Sequence, residues 1–398
     1  MCEPLFNLAP QADAGDPVAR ADASREGGHV EHTDRFNPAL LTAAREAAFM
    51  TQSDLARSLD VSQPLIARWE SPAVPGEPAK RPGVTQVGQL AAVLDVHPSL
   101  FYARESGPRT NQAAYYHRAF AKARRTHVKA AHARCALTEL RVERMLELCP
   151  AAENRLPDID PDNHAGDVEK VAGLARARMG LPDGPVANLV KTIESHGGIV
   201  IDHDLDIENL DALCRWTHGL PKLFFLNGNK SSDRTRLSLA HELGHTVMHL
   251  NRDPELPTAE RQAQRFAAAF LLPAAEMRRD LIGKLDLPRL ANLKRKWRVS
   301  MQAIAYRAHQ IGCIDDTRFR SIMQQFSRNG WRKTEPVTVQ PESPLAFKRL
   351  LRAHLDAGHT EDDLAALLMV SRRKLAEMLV DATSPDWEEQ GVRMRLVR

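Results

Sequence analysis

The sequence predicts a multidomain, mainly α chain: an N-terminal helix-turn-helix bundle, an α+β unit around one metal-binding helix, and a C-terminal helical region. Three observations predict it. Helical periodicity begins abruptly at Asn37 and runs through four short segments. Two strand-like runs, Gly198 to Ile201 and Leu223 to Leu226, precede a helix carrying His241-Glu-Leu-Gly-His245. The pattern Thr51-x-x-Asp-Leu-Ala-x-x-Leu-x-Val-Ser returns from Thr360. At 398 residues the chain can hold two or three domains with full cores.

Residues 1–36 are polar, rich in Asp, Ala and Gly and without periodicity, which predicts a disordered tail. Residues 37–103 read as a helical bundle. Helices are expected from Leu41, from Thr51, over Gln63 to Glu70 and over Val84 to Leu94. Thr51 and Ser62 have side chains able to cap the helices they open. Leu55, Ala56, Leu59, Val61, Ile66 and Trp69 would share a core. Two short helices joined by a tight turn are the layout of a DNA reader. With the closing Asp95-Val-His-Pro-Ser-Leu-Phe, the segment resembles the XRE (phage-repressor-like) family. That resemblance implies double-stranded DNA as partner and puts the start of the second helix in the major groove, where it offers Gln63, Pro64, Ala67 and Arg68. Gln63 could address adenine and Arg68 guanine or phosphate, while Gln52, Lys80 and Arg81 would contact phosphates. Asp60 stands where Gly is usual and tolerates left-handed angles. Pro64 suits a first helical turn but brings no hydrogen-bonding side chain. The alternative is a packing module used for dimerisation, and a homodimer stays open.

Residues 104–157 read as a basic connecting helix. Arg104 to Arg144 carries ten Lys/Arg against three acids, and Arg118, Lys122, Arg125 and Lys129 share one stripe. The stripe could follow a phosphate backbone, but a solvated outer face explains it more simply.

Residues 158–280 form the α+β unit, with helices expected over Val171 to Met179 and Val186 to His196 before the two strands. On a helix, His241 and His245 project from one face, one turn apart. Two imidazoles at that spacing can grip one zinc ion, and Glu242 can take a proton from water at the metal. After a Pro-marked turn, Thr258 can cap a helix whose buried stripe is Ala263, Phe266, Ala267, Phe270 and Leu271. Glu260 lies on that apolar face, where ligation would give it a partner. Two His and one Glu are the open three-ligand zinc set of peptide hydrolysis. His249, one turn further, reads as a partly buried His or a group supporting a ligand rather than as a ligand. The N/O ligand set favours Zn2+ without excluding Mn2+.

Asp233 to His245, Glu260-Arg-Gln-Ala-Gln-Arg-Phe-Ala and Leu271-Leu-Pro together resemble the ImmA/IrrE metallopeptidases. Gly184-Pro-Val-Ala-Asn-Leu-Val and Lys296-Trp-Arg-Val-Ser-Met-Gln-Ala-Ile-Ala extend the likeness over roughly 158–330. The resemblance implies a zincin-like domain, His241, His245 and Glu260 on the metal, Glu242 in catalysis, and a repressor protein as substrate. Gln264 departs from the family's usual Asn, with an expected effect on hydrogen bonding around the ligands.

Residues 281–330 read as a helical extension, in which Val299-Ser-Met-Gln-Ala-Ile-Ala is a third, shorter echo. Residues 331–398 form a helix-turn-helix-like unit, set off from the body by the Pro-rich stretch Thr334 to Pro344. Arg372, Arg373 and Lys374 invite a second DNA contact. Met369 suits a positive-φ turn poorly and Glu361-Asp-Asp363 would repel phosphate, so packing or protein binding is the better reading.

Charge is nearly balanced, 54 basic against 51 acidic residues, so it says little about partners. Five scattered cysteines without CxxC spacing favour a reducing cytoplasm. No leader and no bilayer-length apolar run are expected, hence no membrane. The leading function is a DNA-binding transcriptional regulator fused to a zinc metallo-endopeptidase that cleaves a partner repressor or antitoxin. The alternatives are a non-enzymatic repressor or antitoxin with a metal- or ligand-sensing domain, and a helical scaffold.

Overall fold

The computed structural model describes residues 36–72, 80–104, 124–149, 153–207, 210–228, 230–250, 252, 254–332 and 334–382. The expected tail therefore lies outside the described residues except for Phe36, which is buried and stacks on Phe101. Arg118 and Lys122 of the basic stripe also lie outside them.

The head comprises α1 (Pro38–Ala47), α2 (Gln52–Ser58), α3 (Gln63–Glu70) and α4 (Val84–Leu94), closed by a 3-10 turn over Pro98–Tyr102. Asn37 caps α1, and Thr51 with Asp54 forms a reciprocal capping box on α2. Ser62, expected to cap α3, makes no such bond. Pro64 occupies the second helical position and has no N–H to offer. Leu41, Leu55, Ile66, Trp69, Leu90 and Phe101 form the head core, with Leu59 and Val61 only partly buried against it.

Helix α5 (Arg125–Leu148) exposes Arg125 and Lys129 of the basic stripe, as expected of a solvated outer face, but buries its other sides in two cores. Leu137 and Leu140 complete the head core, while Cys135, Val142 and Met145 enter a second core. That second core also holds one face of a three-stranded sheet: β1 (Ile199–Asp202), β2 (Ala212–Arg215) and β3 (Leu223–Leu226). The order is β1-β3-β2, with β1 parallel and β2 antiparallel to β3. Alternate side chains face opposite layers. Leu223 and Phe225 join the second core, and Phe224 and Leu226 join the core of the unit that carries His241. Burial on both faces explains why β3 is a continuous apolar run. The turn into β1 passes through Gly197 at φ +85, where a Cβ would lie 2.5 Å from Glu153 O.

The unit carrying His241 packs α6 (Val168–Arg178), α7 (Leu189–Ser195), α8 (Ser232–Met248) and α9 (Leu256–Leu271) on the sheet. Helix α9 begins before the expected cap Thr258, because Pro257 fits its first turn. The same core continues through α10 (Ala274–Asp280), α11 (Leu287–Trp297), α12 (Met301–Gln310) and α13 (Asp316–Arg328). The helical extension is thus part of this unit's packing.

The C-terminal helices α14 (Ala346–Asp356), α15 (Glu361–Leu367) and α16 (Arg372–Ala382) cover the other face of the sheet. The stretch before them is no free linker. Glu335 accepts from Met301 N (2.8 Å) and Gln302 N (3.1 Å), and Glu342 accepts from Leu189 N (2.7 Å) and Val190 N (3.0 Å). Both acids staple it to the starts of body helices.

The three sequence echoes share one backbone device. Asp60, Arg298 and Met369 each precede Val-Ser and take φ of 54, 57 and 56. Met369 adopts this conformation despite its unsuitable side chain. It is buried in the head core and its carbonyl accepts from His97 N (3.3 Å). That packing offsets a left-handed cost on the order of 1–3 kcal/mol.

Candidate metal centre

Helix α8 carries His241, His245 and His249 along one face, and α9 lies close beside it. Gly244 permits the approach, since a Cβ there would sit 2.9 Å from Phe266 Cδ1. The Phe266 ring stacks on Phe270 and has little room to yield. The close approach brings Glu260 of α9 to the histidines.

His241 Nε2 and His245 Nε2 are 3.1 Å apart. Glu260 reaches them at 3.7 Å through Oε2 and 3.4 Å through Oε1. One ligand atom from each of the three lies within 4.8 Å of the others. Burial, then neighbouring His245, pushes His241 down to about 4. Burial, then His249, pushes His245 down to about 3. Both rings are therefore neutral near pH 7, and a neutral imidazole is a ligand rather than a counterion for Glu260. Glu260 Oε1 is buried and has no hydrogen-bond partner among the described residues. An unsatisfied buried carboxylate oxygen is costly. Two neutral imidazole nitrogens and this oxygen converging on one point are a donor set suited to zinc.

Glu242 leaves the ligand face and is buried against the sheet. Its Oε2 accepts from the backbone N–H of Cys214 on edge strand β2 at 3.0 Å. Burial, followed by the nearby Glu260, raises its pKa well above the ordinary carboxylate value, opposed by that N–H. The carboxyl group is thus poised to hold a proton.

His249 is buried and supports a ligand. Its Nδ1 is 3.0 Å from His245 Nδ1, and its Nε2 is 2.9 Å from Gln262 Oε1. One proton arrangement satisfies the chain: His245 Nδ1–H donates to His249, and His249 Nε2–H donates to Gln262. His245 Nε2 then keeps its lone pair for a metal. Sequence reasoning missed Gln262 and directed this role to Gln264, whose exposed side chain makes no hydrogen bond among the described residues. It also missed Cys214, whose contribution is a backbone N–H that any residue could supply.

The head residues fall into two groups. Gln63 is exposed and donates to Gln52 Oε1 (2.7 Å), and Gln52 donates to Glu70 Oε2 (2.7 Å). Glu70 in turn holds the buried Arg45. Arg68 and Lys80 are exposed, Ala67 is half-buried, and Arg81 donates to Ser71 O (2.8 Å). In the C-terminal unit, Arg372 pairs with Asp362, and Arg373 with Glu377 and Asp95.

The family model of the IrrE N-terminal-like domain, Peptidase_M78, matches residues 193–309. This stretch runs from the end of α7 to α12 and contains His241, Glu242, His245 and Glu260. The likeness supports a metallopeptidase-like ImmA/IrrE domain there; the head and C-terminal helices lie outside the match. A comparison with curated proteins gives no match. No helix among the described residues is long and apolar enough to cross a membrane.

Proposed function

We propose that the chain is a DNA-binding regulator fused to a zinc-dependent endopeptidase that cuts a partner repressor or antitoxin protein. The observation that carries the enzymatic half is the convergence of His241 Nε2, His245 Nε2 and the partnerless Glu260 oxygen, with a second carboxylate held just off the ligand face. His241, His245 and Glu260 would hold the metal. When bound, zinc supplies Lewis acidity that polarises the scissile carbonyl and acidifies water towards neutrality. With the metal in place, Glu242 would be the group that takes a proton from the attacking water and returns it to the leaving amine. The Cys214 N–H fixes the Glu242 carboxyl group while this happens. Strand β2 is the sheet edge on this side, suited to lining up an extended peptide by main-chain hydrogen bonds. Purified protein is expected to carry about one zinc per chain, as for a three-ligand catalytic site. His245→Ala should lose it, and metal content unchanged on elemental analysis would refute the ligand set.

Support for the DNA-binding half is the exposed start of α3, where Gln63 stands beside Pro64 and Arg68. Arg68 makes no ion pair among the described residues, which leaves its guanidinium for guanine or phosphate. Gln63→Ala and Arg68→Ala should each weaken specific binding by about 1–3 kcal/mol if they address base edges. Gln52 orients Gln63, so Gln52→Ala should reduce specificity as well as backbone affinity. Titration of operator and random duplexes checks this, and equal affinities for wild type and all three variants would remove the head from DNA contact. The ion pairs of Arg372 with Asp362 and of Arg373 with Glu377 and Asp95 support the reading of the C-terminal unit as a packing unit.

A further inference from the structure

The head, α5, the sheet and the C-terminal helices border an open cavity of about 610 Å³, lined by none of the metal-centre side chains. Its apolar wall includes Leu94 of α4, Leu137 of α5, and Phe347 and Leu351 of α14. Four cations also line it: Arg134, Arg141, Lys348 and Lys374. Arg134 is engaged within the protein, donating to Ala47 O (2.9 Å) and Asp204 O (2.7 Å) beneath the Phe49 ring.

The other three are not neutralised. Arg141 donates through Nε to Leu368 O (3.0 Å), and no carboxylate pairs with it among the described residues. Desolvation alone pushes its pKa down to about 10, which an acidic neighbour would oppose. Lys348 and Lys374 likewise make no ion pair among the described residues. The lining acids do not compensate: Asp202 and Asp204 are exposed, and Asp95 is paired with Arg373. His203 on the same wall is held down to about 4, by burial first and then by Arg134 and Arg141. A desolvated cation is costly without a counter-charge.

We propose that this cavity binds an amphipathic organic anion, with Arg141, Lys348 and Lys374 taking a carboxylate or phosphate head and the Leu94, Leu137, Phe347 and Leu351 side chains taking the apolar body. The volume lies within the ordinary small-ligand range of about 300–1,000 Å³. The site is distinct from the peptidase centre and depends on neither the metal nor the substrate. The head, α5, β1 and the C-terminal helices all contribute to its wall, so occupancy stabilises their mutual arrangement by mass action.

Calorimetric titration of the full chain with octanoate, octyl phosphate and octylamine tests this. One or both anions should bind and octylamine should not; the anion that binds identifies the head group. Arg141→Met should weaken that binding about tenfold or more, the scale of a lost charged hydrogen bond. Lys374→Met alters an exposed residue with no partner to lose, so it keeps the test decisive if Arg141→Met fails to fold. It should weaken binding several-fold with zinc content unchanged. No heat with either anion, equal binding of octylamine, or affinity indifferent to Lys374→Met would overturn the proposal.

Discussion

Glu242→Gln is expected to keep full zinc content, fold and DNA affinity while losing peptide hydrolysis. The amide preserves size and can still accept the Cys214 N–H through its oxygen, so the packing against β2 survives. What disappears is the carboxylate that, among the described residues, lies beside the ligand set without belonging to it. Loss of a positioned acid–base group costs about 10²–10⁴-fold in rate. Single-turnover cleavage of the partner protein, with elemental zinc measured on the same sample, checks both halves. The outcome also separates the enzyme from a metal-sensing repressor, which needs ligands but no base. Normal regulation by the variant in cells would sink the peptidase reading whatever its zinc content.

The largest effect on stability is expected at Lys294. Its Nζ lies between Asp233 Oδ2 (2.7 Å) and Glu335 Oε2 (2.8 Å), and all three side chains are at most 9% exposed. Lys294→Met would leave two carboxylates buried together without a cation. Breaking a buried pair in this way costs about 3–5 kcal/mol. Burial pushes the Asp233 carboxyl up, but hydrogen bonds from Lys294 and Ser231 outweigh it and hold the pKa below 3.8. In the wild type, the stability from Asp233 is therefore present above that value and lost as pH falls through the lowered one. In Lys294→Met the sign reverses, because protonation relieves the uncompensated charge. Its deficit relative to wild type should shrink as pH falls below about 5, measured by urea unfolding. A deficit that is small, or constant across pH, would contradict this account.

The clustered residues of the candidate metal centre were legible because their chemistry is local in sequence. His241 and His245 are fixed by helical spacing, and Glu260 stands out as an acid on an apolar stripe. The groups that complete the centre left no such mark. Strand β2 is four residues long, and its contribution to Glu242 is a backbone N–H with no side-chain signature. Gln262 sits thirteen residues from His249, across a turn whose geometry the sequence does not state. Thr258 and Ser62 were reasonable caps by residue type, but Pro257 and Pro64 decided how those helices begin. Met369 shows tertiary packing overriding local preference, since a buried side chain holds a backbone conformation its type disfavours. Strand β3 and the fourth helix, Val84 to Leu94, emerged with the bounds read from the sequence, because run length and period agreed there.

Helix α5 makes the chain hard to dissect. Removing residues 1–103 would strip the partners from Leu137, Leu140 and Met369 and leave an oily scar along a helix whose far side holds the sheet together. Excising the last helices would bare the opposite flank, where Cys135 and Val142 lie. A fragment carrying the candidate metal centre, prepared by trimming either end, would tend to clump rather than report faithfully on the intact chain. Parts sharing a spine in this way cannot be exchanged between chains like beads on a string. A lineage acquiring a new head would have to remodel one side of α5 along with it.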